Sequence, residues 1–497
     1  MTEPPSAAQV RSLASACGLS LTDDELALYS DVIEEMVAAF ETVRETAVPT
    51  FEDIHGSPER YGCRDDGHSP TDDPYNAWQS RFRLAGAETG PLDDYEIGLK
   101  DNVAVAGYEC TLGVPAMAEF VPEIDATVVS RLLDAGGTLV GKHTMDAFAM
   151  GDAGEFQPSG PTLNPADETR LAGGSSSGGA AAVAAGECDA AIGTDQAGSV
   201  RNPAAWCGVV GLKPTYGLVP YTGFVPMDRG FDHAGIVAED AQTVADVLSA
   251  VAGIDRQNGV RLDPRQPSTV PDETYRAKDP STELTVGVLD EGFDWPFSDS
   301  AVDSCVSAAL EASPWTTESV SVDHHRLTPA IVGATAPVGG ARTLAGDGVG
   351  TDATGWHWEG LAEALGTAEQ TTETLLPATV AATLFAEQRP GTGTMAEYAR
   401  AKNLVLSAGR AYDAALEQYD LLALPTSPTT ALEPAENTET KLARLGWLPA
   451  NTGLFNQTGH PAVSVPCGTV DGLPVGLQLV AGRFEEQKLL RAAREIE

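Results

Sequence analysis

Lysine is nearly missing from this chain of 497 residues: Lys100, Lys142, Lys213, Lys278, Lys402, Lys441 and Lys488 are all there are. With arginine they make 30 cations against 72 carboxylates, a formal net charge of −42. No basic stripe is visible, so binding to nucleic acid through an electrostatic footprint is not expected. The acids are dispersed along the chain rather than gathered in a tail. Such a surface suits molar salt, where the Debye length falls to about 3 Å and self-repulsion is screened; an ordinary acidic cytosolic enzyme is the alternative. Cysteine is sparse as well. Cys17, Cys63, Cys110, Cys188, Cys207, Cys305 and Cys467 are odd in number, far apart and form no CxxC pair. That argues against a zinc ribbon or a disulfide framework and suits a reducing cytosol. Residues 1–20 show no basic segment leading into an apolar run, so no secretory signal is expected. No uninterrupted apolar stretch reaches the roughly 20 residues a membrane helix needs. A cytoplasmic location without membrane contact follows as the expectation.

What is present is globular. Hydrophobic residues make up 42% of the chain, which argues against wholesale disorder, and the length is ample for a large core. Residues 20–45 read as a helix. Thr22 and Glu25 form a capping-box pattern, and Tyr29, Val32, Ile33, Met36, Val37 and Phe40 recur at helical spacing, as in a helix packed on a larger body. Residues 51–95 are polar and rich in Pro, Gly and Asp, and read as a loop or linker. From Ile97 onward β-prone runs (Thr138–Val140, Thr285–Leu289) alternate with helical stretches (Ala126–Leu133, Val302–Leu310), which indicates an α/β layered fold with helices covering a sheet. Residues 339–355 read as a loop, 395–418 as a helix, Leu421–Leu424 and Leu477–Val480 as strands, with a helix closing the chain. There is no internal repeat.

The chemistry concentrates between Gly173 and Ala205. Gly173-Gly174-Ser175-Ser176-Ser177-Gly178-Gly179 runs into an Ala-rich stretch and then into Gly193-Thr194-Asp195-Gln196-Ala197-Gly198-Ser199-Val200-Arg201. A flexible linker would not lead into a run of small apolar residues, nor into so mixed a second half. Glycines let successive N–H groups converge into a nest; a nest beside a hydroxyl offers a nucleophile and an oxyanion hole together. The GxxxxGK[ST] pattern and a well-placed GxGxxG are absent here, and the GxSxG elbow is absent around Ser199. A serine nucleophile needs a base. None of the eight histidines lies in the tract; His233 and His460 sit in turns that suit structural or substrate-lining roles. A buried, neutral lysine is the other route. Lys100, in Ile97-Gly98-Leu99-Lys100-Asp101-Asn102-Val103, ends a β-prone run; read alone it is more readily a surface lysine at a strand end than a base.

These residues resemble the amidase signature family. Its lysine lies in a KDN turn, matched by Lys100-Asp101-Asn102. Its cis-serine opens the serines of a GGSS motif, matched by Ser175. Its nucleophile is the serine of GTDxGGSxR, matched by Ser199, with the two serines 24 residues apart as in the family. The resemblance continues through Pro203-Ala204-Ala205, Gly208 to Gly217, Phe231-Asp232-His233, Pro425-Thr426 and Asn456 to Ala462. It implies a large mixed β-sheet core with helices on both faces over residues 76–497, preceded by an N-terminal helical region and linker over 1–75. It also implies an amidase that forms an acyl-enzyme at Ser199, with Ser175 as relay and Lys100 as base. The implied oxyanion hole comprises the N–H groups of Gln196, Ala197, Gly198 and Ser199. Ser176, Asp195 and Arg201 have supporting roles, and no metal or organic cofactor is required. Gln196 and Ala197 replace the commoner Thr and Gly. The DQxGSxR form, Leu218–Gly223 and Asp263–Gln266 look most similar to enantioselective amidases of nitrile degradation. The expected partner is a small-molecule amide, with a homodimer possible and no nucleic acid. The A subunit of a glutamyl-tRNA(Gln)/aspartyl-tRNA(Asn) amidotransferase, which shares the core and which Gly141–Gly151 also resembles, is the alternative.

Overall fold

The structure, a computed structural model, describes residues 5–47, 61, 67–257, 260–263, 265–266, 275, 284–348, 356–369, 371–386 and 394–497. The chain divides into two compact units, Met1–Gly56 and Ser57–Glu497. The first holds the helices Ala7–Ala16 and Asp23–Glu45. Thr22 caps the second: its hydroxyl accepts the Glu25 N–H while the Glu25 carboxylate accepts the Thr22 N–H, as the capping-box pattern predicts.

The second unit is built on one mixed sheet of eleven strands: β1 (Trp78–Ala85), β2 (Glu96–Lys100), β3 (Thr138–His143), β4 (Ala190–Asp195), β5 (Val210–Lys213), β6 (His233–Ala238), β7 (Thr285–Leu289), β8 (Thr316–Val320), β9 (Leu421–Pro425), β10 (Ala462–Val470) and β11 (Leu473–Val480). Their order across the sheet is β1-β3-β2-β4-β6-β5-β10-β11-β9-β7-β8. β2 is parallel to both β3 and β4, while β4, β6, β5, β10, β11 and β9 follow antiparallel. Helices cover both faces, the arrangement the resemblance implies.

Small residues bring the helix Ser177–Ala184 close to the sheet. A side chain at Gly178 would meet the Ala77 carbonyl oxygen at 2.1 Å, and one at Gly179 the Ala191 methyl at 3.0 Å. Ala180, Ala181, Ala182, Ala191, Val200 and Ala204 form a dry cluster there, so this stretch of the Gly/Ser tract is packed core rather than linker.

Two expectations change. The segment 51–95 is not all loop, because β1 lies in it. Trp78, Ser80, Phe82 and Leu84 alternate inward, but they follow a run of Pro, Asp and Gly whose polarity dominates the sequence pattern. Residues 339–345 belong to the helix Thr328–Ala345. Gly339 and Gly340 are small there for packing: added side chains would strike the Asp228 carboxylate and the Met150 methyl. Residues 349–355 lie outside the described residues.

Candidate active site

Lys100 is the last residue of β2, and its side chain is 1% exposed. Parallel pairing of Ile97, Gly98 and Leu99 with Ala190, Ala191 and Ile192 brings it beside the end of β4. Its ammonium nitrogen lies 2.8 Å from Ser175 Oγ, 2.9 Å from Thr194 Oγ1 and 3.3 Å from the Thr194 carbonyl. Burial drives its pKa down to about 7, with the carboxylates of Asp146 and Asp195 opposing the shift. Asn102 Nδ2 reaches Thr194 Oγ1 at 3.3 Å, and Asp101 pairs at 3.4 Å with the equally buried Lys142. The KDN turn is thereby locked from behind.

Ser175 is fully buried, and the Gly174–Ser175 peptide is cis. Gly173 has φ +85°, and a Cβ there would come within 2.7 Å of Pro203 Cα. Ser176 links the two halves of the tract. Its Oγ donates to the Thr194 carbonyl (3.1 Å) and its N–H to the Ser199 carbonyl (3.1 Å).

The loop after β4 is held by one ion pair. Asp195 accepts from Arg201 Nε and Nη2, both at 2.9 Å, and from the N–H groups of Gly198 (2.7 Å) and Val200 (3.2 Å). Burial works to raise the Asp195 pKa, but Arg201 and its hydrogen bonds hold the carboxyl well below the usual range. Arg201 also donates to the Thr452 carbonyl, Gln478 Oε1 and Asn456 Oδ1, so all five of its N–H groups are used. Asn456 Nδ2 returns to the Asp195 carbonyl and carboxylate at 2.7 and 2.8 Å. The N–H of Gly198 is therefore taken by Asp195. Those of Gln196, Ala197 and Ser199 carry no hydrogen bond among the described residues, which leaves three of the four expected oxyanion donors free.

Ser199, Gln196 and Ala197 open onto a cavity of about 330 Å³ walled by Met150, Met227, Val332, Ala378 and Phe385, at the lower end of the range for small-ligand sites, about 300–1,000 Å³. His233 and His460 do not line it. His233 Nδ1 contacts the Phe231 carbonyl and His460 Nε2 contacts Asp413. No group of three or more potential metal ligands occurs among the described residues, nor is any described helix long and apolar enough to cross a membrane. Sequence reasoning missed Thr194, Asp146, Asp152, Thr452 and Gln478 as site residues. Thr194 stands inside a quoted motif, whereas Thr452 and Gln478 reach the site only through the sheet order.

The sequence matches the Amidase family profile over residues 75–490. The chain belongs to the amidase family. Among this amidase's relatives is the A subunit of the Natronomonas pharaonis glutamyl-tRNA(Gln) amidotransferase, 38% identical over 433 residues that cover 84% of this chain and 98% of the relative. The crystal structure of the corresponding A subunit from Thermotoga maritima superposes with a TM-score of 0.70 at 28% identity, covering 86% and 88% of the two chains. The structure of 6-aminohexanoate cyclic dimer hydrolase with its substrate gives 0.69 at 28% identity, covering 82% and 85%. The expected resemblance to nitrile-pathway amidases thus gives way to one with the amidotransferase A subunits. The expected partner set, a small amide and at most a second copy with no nucleic acid, is overturned. The Natronomonas pharaonis and Thermotoga maritima proteins are subunits, named for an amidotransferase of glutamyl-tRNA(Gln). The reason is that the motifs around Lys100, Ser175 and Ser199 carry the likeness to the whole family and do not separate a solitary hydrolase from an amidotransferase subunit.

Proposed function

We propose that this amidase-family chain is the amide-cleaving A subunit of a glutamyl-tRNA amidotransferase, with residues 76–497 as its catalytic region. The observation that carries the reading is the match to such an A subunit over 98% of the relative's length, around a site in which Lys100 touches Ser175. Neutral Lys100 accepts a proton from Ser175 Oγ, which takes one from Ser199 Oγ. Ser199 attacks the carboxamide carbon of the donor. The N–H groups of Gln196, Ala197 and Ser199 receive the oxyanion, while Gly198 spends its own on fixing the loop. A lost donor of this kind costs about 2.7–4 kcal/mol of barrier. Ser175 returns the proton to the departing ammonia, and water releases the acyl group. Ser176, Asp195 and Arg201 hold the loop without reacting. Ammonia passes to the glutamyl-tRNA at a partner subunit. The net charge of −42 supports leaving the tRNA contact to that partner. The tRNA-linked reaction and the free thiols of the described cysteines support a cytoplasmic location.

The test is to purify the chain alone and with its co-expressed partner subunits and to measure ammonia release and glutaminyl-tRNA formation in molar KCl. Amidation of glutamyl-tRNA that depends on both this chain and Ser199 is expected. Ammonia release at an equal rate with and without partners and glutamyl-tRNA, and no amidated tRNA, would overturn the assignment.

A further inference from the structure

The cavity beside Ser199 contains two polar groups that no protein atom satisfies. Asp152 is anchored by its backbone, whose carbonyl accepts the Gly174 N–H at 3.0 Å. Its carboxylate lines the cavity and takes no hydrogen bond or ion pair from any described residue. Gln196, 2% exposed, lines the same space. Its Nε2 donates to Tyr221 Oη at 3.2 Å, and its Oε1 is buried with no partner. Around them the wall is apolar, and among the described lining residues Asp152 is the sole ionisable side chain. The Asp152 carboxylate is half-buried, so the apolar wall strips part of its hydration, which a counter-charge would replace. Burial first, and then the charges of Asp146 and Asp195, push its pKa up to about 8; Lys100 pulls the other way.

We propose that this cavity selects amide donors that carry a protonated amine, with Asp152 as the counter-charge, Gln196 Oε1 as a second acceptor and the intervening methylenes on the apolar wall. The proposal rests on the reading of Ser199 as nucleophile. It makes Asp152 and Gln196 specificity-determining residues of the amide half-reaction. A charged amine leaves water only where both its charge and its hydrogens are met. Asp152 and Gln196 meet them, and an uncharged donor of the same shape would leave both unpaired.

The experiment uses isosteric pairs: 3-aminopropanamide against butanamide, 4-aminobutanamide against pentanamide, and 5-aminopentanamide against hexanamide. Each pair differs by an ammonium in place of a methyl. Ammonia release is measured in 2 M KCl with the full chain, assembled with its partner subunits where release requires them. At least one amino amide is expected to exceed its isostere in kcat/KM by about tenfold or more, with the ratio collapsing toward one in Asp152→Asn. The ratio should also rise from pH 6 to pH 9 as Asp152 ionises, because titration of Lys100 is common to both members and cancels. Ratios at or below one for every pair, or a ratio unchanged in Asp152→Asn, would overturn the proposal. Should Asp152→Asn fail to fold, Asp152→Ser and the pH course of the wild-type ratio decide. Should no amide be hydrolysed, the nucleophile reading falls, and the relative affinities of the same pairs for Ser199→Ala still decide this one.

Discussion

A lysine can accept a proton near neutrality only if its charged form is disfavoured, and at Lys100 burial does this. With its pKa lowered to about 7, the amine is protonated and idle below that value and free to accept above it. We expect kcat/KM for amide cleavage to rise tenfold per pH unit below about pH 7 and to level off above it; a pH series on the full chain reads this directly. A profile flat from pH 5 to 9 would remove Lys100 from the role of base. Ser199→Ala should lower ammonia release by at least about 10⁴-fold while leaving the circular dichroism spectrum unchanged, since the hydroxyl opens onto a cavity rather than into packing. At this scale the sequence is legible only where motifs repeat a known order. Lys100 alone is ambiguous between base and surface cation, because burial is a property of the sheet and not of the short segment around it. Asp152 is invisible for the same reason: nothing in Gly151-Asp152-Ala153 reveals that its carboxylate lines the cavity beside Ser199.

The loop between β4 and the helix Arg201–Cys207 carries Ser199 and the three free N–H groups beside the cavity. Gly198 has φ +133°, and a Cβ there would lie 2.3 Å from Thr452 Oγ1 and 2.8 Å from Asn202 Nδ2. Gly198→Ala should therefore cost about 1–3 kcal/mol of stability from backbone strain, seen as a lower Tm, and should cut activity by roughly 100-fold or more by moving the neighbouring N–H groups. Asp195→Asn strands the Arg201 charge in the core, and a loss of about 3–5 kcal/mol is expected in denaturant unfolding. Because Asp195 is held below its ordinary value, the pair stabilises the fold above about pH 4. That contribution is lost as the pH falls through the carboxyl's folded value, so Asp195→Asn and the parent chain should converge in stability toward strongly acidic pH. Elements with clean patterns are readable in advance: the Thr22–Glu25 capping box, Thr285–Leu289 and the long helix Thr394–Leu416. β1 is hidden by its polar approach, and the end of the helix Thr328–Ala345 by glycines whose smallness serves packing.

Three of the seven lysines, Lys100, Lys142 and Lys213, are wholly buried, so the excess of acid falls on the surface almost without lysine to balance it. A surface of this kind repels itself in dilute buffer and is screened in molar salt. The Tm is expected to rise steadily between about 0.1 and 2 M KCl; a constant or falling Tm would refute adaptation to salt. The sheet order carries another consequence. Arg201 is satisfied only when Thr452, Asn456 and Gln478 are in place, and β5 finds its neighbour in β10. During synthesis the ribosome therefore releases Ser199 and Arg201 long before the residues that hold their loop in register. A growing polypeptide thus carries the Asp195–Arg201 loop without its clasp until the strand that bears Gln478 has emerged.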